Sequence, residues 1–145
     1  MTLHLVKLCV GVDDIDDLAA WQRRRAAERK AAGATHGCIH RTRMMPKRRD
    51  DLLAGGSLYW VIKGVIRVRQ RLDAIEDGRM EDGSACAILA LDSTLVRTLP
   101  KPMRPFQGWR YLGAADAPRD IGAADGDVAS MPPAMVEELR SLGLL

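Results

Sequence analysis

The sequence predicts an α+β domain: a small, curved, mostly antiparallel sheet or partial barrel with two or three flanking helices. Three observations predict it. The apolar, β-branched run from Leu58 to Glu76 is too long for one straight strand, so it must bend around the core. "SACAILALD" follows after turn residues and pairs back on it as a hairpin. Helical segments sit at both ends of the chain, bounded by Asp, Gly and Pro. At 145 residues, with 47% hydrophobic and 28% charged residues, the chain is sized for a single domain over residues 1–145 with its own core.

In chain order, "LHLVKLCVGV" is an opening strand, with Leu3, Leu5, Val6, Val10 and Val12 as its apolar members. "DDIDDLAAWQRRRAAERKAAG" is a helix capped by Asp13 or Asp14, with acids in its first turn and Gly33 beyond its end. Its Arg23, Arg24, Arg25, Arg29 and Lys30 lie toward the C-terminal end, where cations complement the helix dipole. "HGCIHRTRMM" alternates as a strand. "PKRRDDLLAGG" is a short helix with Pro46 at its first position and the Gly55-Gly56 pair at its end. Lys47, Arg48 and Arg49 then fall in the first turn, where free N–H groups favour an anion; Asp50 and Asp51 offer a local neutralisation instead. "EDGRMEDG" is a turn, "SACAILALD" a buried central strand, and "TLPKPMRP" a proline-broken extended segment leading into "FQGWRYLG". Residues 113–131 are a long surface loop. "PPAMVEELRSLGLL" closes the chain with a helix striped by Met135, Leu139 and Leu142.

Strand parity sorts the stretch "SLYWVIKGVIRVRQR". Leu58, Trp60, Ile62, Gly64, Ile66 and Val68 form an apolar set. Tyr59, Lys63, Arg67, Arg69 and Arg71 share the other parity, a cationic face hinged at Gly64, where a bulge would flip the parity beyond it. The charge distribution agrees. Between Gln22 and Arg71 fourteen Lys/Arg face three Asp/Glu, a net of +11, against −3 before this block and −5 after it. A concentrated basic block points to a polyanion.

Other chemistry is thin. His36, Cys38 and His40 alternate on one strand face, but no second ligand cluster accompanies them, so the expectation is an ordinary strand with a buried Cys38, no metal and no cofactor. Neither a nucleophile-elbow motif nor a phosphate-binding glycine motif occurs, so no reaction and no catalytic residue is assigned. Three scattered cysteines, no signal peptide and no membrane-length apolar run lead to the expectation of a cytoplasmic protein in a reducing compartment.

The strings "TRMMPKR", "LLAGGSLYWVIKGVIRVRQ", "LVRT" and "FQGWRYL" resemble an uncharacterised, mainly alphaproteobacterial family, domain of unknown function fourteen eighty-nine. The resemblance covers nearly the whole chain and implies a bacterial single-domain protein without an assigned activity. More weakly, "LLAGGSLYWVIKGVIRVRQ" is similar to the helix, glycine turn and strand that line the cleft of PUA-like domains, which hold RNA or a modified base. The Gly-x-Lys-x-x-Glu-x-Arg pattern of ASCH domains is broken, since no Glu follows Lys63 at that spacing.

The functional expectation is binding of nucleic acid, chiefly RNA. Lys47, Arg48, Arg49, Lys63, Arg67, Arg69 and Arg71 would meet phosphates, with Arg104 and Gln107 beside them; Tyr59, Trp109 and Arg110 would meet a base. The alternatives are an enzyme or sensor for a small anionic ligand, such as a nucleotide or modified nucleoside, and a module that docks an acidic protein.

Overall fold

The computed structural model describes residues 2–121. The expected C-terminal helix and the greater part of the 113–131 loop lie outside them. Among the described residues the order is β1 (Leu3–Leu8), α1 (Ile15–Ala31), β2 (Ile39–Thr42), α2 (Arg49–Leu53), β3 (Ser57–Ile62), β4 (Val65–Arg79), β5 (Ala85–Leu91), β6 (Val96–Pro102) and β7 (Trp109–Gly113). The architecture is α+β. A seven-stranded sheet runs β2-β5-β4-β3-β1-β7, with β6 also paired to β4. β1 and β3 are parallel, and the other pairs are antiparallel.

Local chemistry sets the boundaries. The Asp14 carboxylate accepts the Asp17 backbone N–H at 2.8 Å, and Asp17 Oδ2 accepts the Asp13 N–H at 3.1 Å, so α1 begins with a reciprocal cap. Ile15, Leu18, Ala19, Gln22, Ala26 and Arg29 make its inward stripe, and Leu18 is fully buried. α2 begins at Arg49, not at Pro46. Lys47 therefore precedes the helix, Arg48 is its N-cap, and the acids Asp50 and Asp51 occupy its first turn. This corrects the expectation for Lys47 and Arg48, while Arg49 stays in the first turn beside the two acids.

The long basic strand is two strands. Lys63 and Gly64 have φ of 50° and 79°, both left-handed, which makes them the central pair of a type I′ turn joining β3 to β4. The parity of the sequence reading also changes. Trp60 pairs with Val68 and Val61 with Ile66, so Arg67 is the extra residue of a bulge, and the β6 ladder skips it too. Ile66 and Val68, both even-numbered, thus belong to opposite faces: Ile66 packs with Tyr59, Val61 and Phe106, and Val68 with Leu58, Trp60 and Ile62. A second irregularity at Asp73 lets Leu72 and Ile75 share one face. The "TLPKPMRP" segment pairs with β4 as the edge strand β6, the place in a sheet where proline is tolerated.

Both faces of β3 are buried. The inner face joins Leu3, Leu5, Leu58, Trp60, Ile62, Leu72 and Leu89 under α1; the outer face joins Val6, Tyr59, Val61 and Leu112 under Phe106. The sheet curls strongly about the inner face. In a flat sheet β2 would lie three strand spacings, about 14 Å, from β3. Instead the His40 ring of β2 meets the Trp60 indole of β3 edge-to-face at 5.1 Å. The chain leaving β2 closes the remaining gap, because the Met44 carbonyl accepts the Trp109 indole N–H of β7 at 2.8 Å. No helix among the described residues is long and apolar enough to cross a membrane.

Candidate functional site

The fold divides the residues singled out from the sequence between two places, the β3–β4 hairpin and the β7 edge, and forms a cavity at a third. Arg69 is held within the protein. Its Nε and Nη2 donate to the two Asp120 carboxylate oxygens at 2.7 Å each, and Nη1 donates to Ser57 Oγ at 3.0 Å. This bidentate pair keeps the Asp120 carboxyl below its usual range and raises Arg69 further. Tyr59 is a core residue, 4% exposed, with its ring 5.0 Å from His4. That burial corrects the expectation of a ring presented on a cationic surface. Arg67 sits half-buried at the bulge, and Arg71 is exposed further along β4.

A second group gathers at the β7 edge. The Arg48 backbone N–H donates to the Tyr111 hydroxyl at 3.1 Å, and its guanidinium lies 6.0 Å from that ring and 3.0 Å from Asp51. Arg49 reaches the Met45 sulfur, Lys47 is exposed, and Arg110 lies on the opposite face of β7, 4.9 Å over Phe106. Trp109 is half-buried against the inner cluster and meets Tyr111 edge-to-face at 4.8 Å. Arg104 and Gln107 are exposed in the loop before β7. Lys63 stands apart at its turn, 3.3 Å from Asp13.

The third place is a cavity that these residues do not line. β1 and β3 run parallel, so their carboxyl ends finish together, and the Cys9 N–H continues the pairing to the Val61 carbonyl at 2.8 Å. The chain then turns through 9–14 into α1. In open α/β sheets this position, outside the carboxyl ends of parallel strands and beside a helix start, is where ligands sit. Here it encloses about 440 Å³, lined by Lys7 and Trp60 from the sheet, Cys9 to Val12 from the loop, Leu18 and Trp21 from α1, and His40 and Arg41 from β2. Among the described residues two cations and two indoles line the cavity, and no carboxylate does.

Register explains the sheet wall. Lys7 pairs with Trp60 on one side and with Trp109 on the other, which places an amine between two indoles on the inner face. Burial lowers the Lys7 pKa. The same burial, then the Lys7 charge, pushes His40 down to about 4, and burial alone pushes the Cys9 thiol up to about 11. Among the described residues His40 Nε2 is buried without a hydrogen-bond partner. At neutral pH the cavity therefore holds a neutral imidazole and an un-ionised thiol.

Among the described residues no three His, Cys, Asp or Glu side chains converge on a point that could hold a metal. His36 Nε2 donates to the Glu76 carboxylate at 2.7 Å, Cys38 Sγ accepts from Gln70 at 3.6 Å, and His40 packs on Trp60. Lys7, Trp21 and Arg41 are not among the site residues expected from the sequence. The one signal for them was Lys7 itself, a charge in the middle of an otherwise apolar strand.

His40 makes stability pH-dependent. Above pH 6.5 the ring is neutral in both states. As pH falls toward 4 the unfolded chain takes up a proton that the folded chain refuses, so stability is lost across that window. The loss by pH 4.5 is on the order of 2–3 kcal/mol. Urea unfolding at pH 7 and pH 4.5 should show it in the parent chain, and His40→Leu should remove most of it while His4, also lowered by burial, keeps a smaller slope of the same sign.

No curated protein matches the chain. No solved structure matches it either. The family described as "Protein of unknown function (DUF1489)" matches residues 5–145, and this chain belongs to that family.

Proposed function

We propose that the protein binds a small anionic molecule carrying a planar ring, such as a nucleotide or modified nucleoside, in the cavity at the carboxyl ends of β1 and β3. The observation that carries this is the cavity's lining: Lys7 and Arg41 for negative charge, Trp21 and Trp60 for a ring, and, among the described residues, no carboxylate to repel an anion. Trp21 is the exposed wall, 41% accessible, with the Arg25 guanidinium 5.6 Å from its ring. The β3 segment contributing Trp60 is the one that resembles the cleft strand of PUA-like domains, which supports the same reading.

Thermal unfolding against nucleotides and nucleosides tests it. One class should stabilise the protein with one-to-one stoichiometry, by about 2.7 kcal/mol at a hundredfold excess over Kd. Trp21→Ala and Arg41→Ala should each weaken binding roughly tenfold. Absence of stabilisation by every member of the panel would sink the proposal.

Nucleic-acid binding is the second reading. It is favoured by a specific observation: Arg24 and Arg25 are exposed on α1 within one turn of the cavity wall Trp21, and Arg23 and Lys30 are exposed further round the same helix. On this reading RNA affinity falls steeply with salt, whereas the small ligand shows a shallow dependence.

A further inference from the structure

We propose that Lys7 is a reactive amine that captures a carbonyl-bearing anionic ligand in this cavity as an imine. The inference rests on the cavity being a ligand site. Four observations support it. Lys7 lines the cavity from the carboxyl end of an internal strand, between β3 and β7. Its register neighbours on both sides are indoles, Trp60 and Trp109, so its immediate surroundings are apolar. Among the ion pairs of the described residues, the lysine that takes part is Lys63, with Asp13, and Lys7 has no carboxylate to hold its proton. Finally, His40 is near enough for its charge and that of Lys7 to oppose each other, and burial favours the neutral form of both. The titrating and charged groups around Lys7 are therefore His40 and Arg41 from β2 and Cys9 from the loop. β3, β7 and α1 present Trp60, Trp109, Leu18 and Trp21.

The chemistry is that of an amine in an apolar pocket. The neutral Nζ attacks the carbonyl carbon, forming a C–N bond as the carbonyl π pair moves onto oxygen. One Nζ proton passes through the His40 imidazole to that oxygen, giving a neutral carbinolamine. The second Nζ proton takes the same route to the hydroxyl, which leaves as water as the C=N bond forms. The balance is amine plus carbonyl to imine plus water, with no oxidant or reductant. Arg41 supplies the charge that holds the ligand's anionic group, and Trp21 the surface for its ring.

Pyridoxal 5′-phosphate serves as the probe, since it is an anionic, planar aldehyde. The full chain is treated briefly at pH 7, reduced with borohydride, digested and read by mass spectrometry. The chain has five lysines, and the exposed Lys30, Lys47 and Lys63 are internal controls. Lys7 should be labelled at least tenfold faster than any of them, with its half-maximal rate at a lower pH. The preference should vanish in denaturant. His40→Gln should slow Lys7 labelling several-fold and leave Lys47 unchanged. Labelling of Lys7 at or below the rate of Lys47 in the folded chain overturns the inference. So does a His40→Gln variant that folds and labels Lys7 at the parent rate. The two readings separate cleanly. Nucleotide stabilisation that survives in Lys7→Arg without selective labelling in the parent leaves the ligand site standing and removes the imine. Fast selective labelling with no stabilisation by any nucleotide supports the imine and removes the nucleotide.

Discussion

Gly56→Ala is expected to destabilise the domain by about 3–5 kcal/mol, a large part of the stability of a domain this size. A Cβ at this position would lie 2.2 Å from the Leu3 carbonyl oxygen and 2.4 Å from the Leu52 carbonyl oxygen. Both obstacles are backbone. Leu3 begins β1, Leu52 lies in α2 one residue before its end, and the Gly56 N–H already donates to that same Leu52 carbonyl at 2.8 Å. Relief therefore requires moving α2 off the sheet, since no rotamer change can open the space. The gain that alanine brings by stiffening the unfolded chain, about 0.4–1 kcal/mol, is too small to offset this. Gly78→Ala provides the comparison. Its Cβ would meet the Ile88 side chain at 2.3 Å, and a side chain can turn away. Chemical denaturation of the two variants should rank Gly56→Ala well below Gly78→Ala, and equal midpoints would refute the backbone clash.

Gln70→Leu should cost about 2–4 kcal/mol despite its similar volume and greater hydrophobicity. Gln70 is fully buried, and its amide is the hub of the inner face. Oε1 accepts the Trp60 indole N–H at 2.8 Å and the Gln22 amide at 2.8 Å, while Nε2 donates to Gln22 Oε1 and to the Asp92 carbonyl, each at 2.9 Å. Gln22 is half-buried and can turn to water; the Trp60 N–H cannot. A buried donor or acceptor left alone costs about 1–3 kcal/mol, and leucine would orphan the indole N–H and deprive the Asp92 carbonyl of this donor. The test is a cycle with Trp60→Phe, which removes the donor. The double variant should lose less than the sum of the singles, and strict additivity would mean that the bond contributes nothing.

Gln70 also marks the limit of what local sequence carries. Among the described residues the order and type of most elements were legible, because strand alternation, the aspartates before α1 and the turn residues before β5 act within a few positions. The core role of Trp60 was legible from its apolar neighbours of like parity. The type I′ turn was not, because lysine rarely takes the left-handed conformation that Lys63 adopts, and Lys-Gly is not a strong hairpin signal. The bulge at Arg67 was also hidden: nothing in Ile-Arg-Val says that one residue is supernumerary, yet it reverses every side chain on one side of it. Arg69 looked available because its partner, Asp120, is 51 residues away. The cavity draws on two strands, a loop, a helix and the distant strand β2, so its members carry no common motif.

The position of β1 has a consequence for how the chain comes into being. β1 is made early but is an interior strand, flanked by β3 and β7, with Leu5 opposite Leu58 on one side and Tyr111 on the other. At about 5–20 residues per second, its second neighbour leaves the ribosome on the order of 5–20 s after it. Throughout that interval Leu3, Leu5 and Val6 have a bare edge and no complete core to enter. A chain stalled before Trp109 therefore carries an unpaired apolar strand of the kind that recruits other chains. The last described strand is thus the one that makes the first one safe.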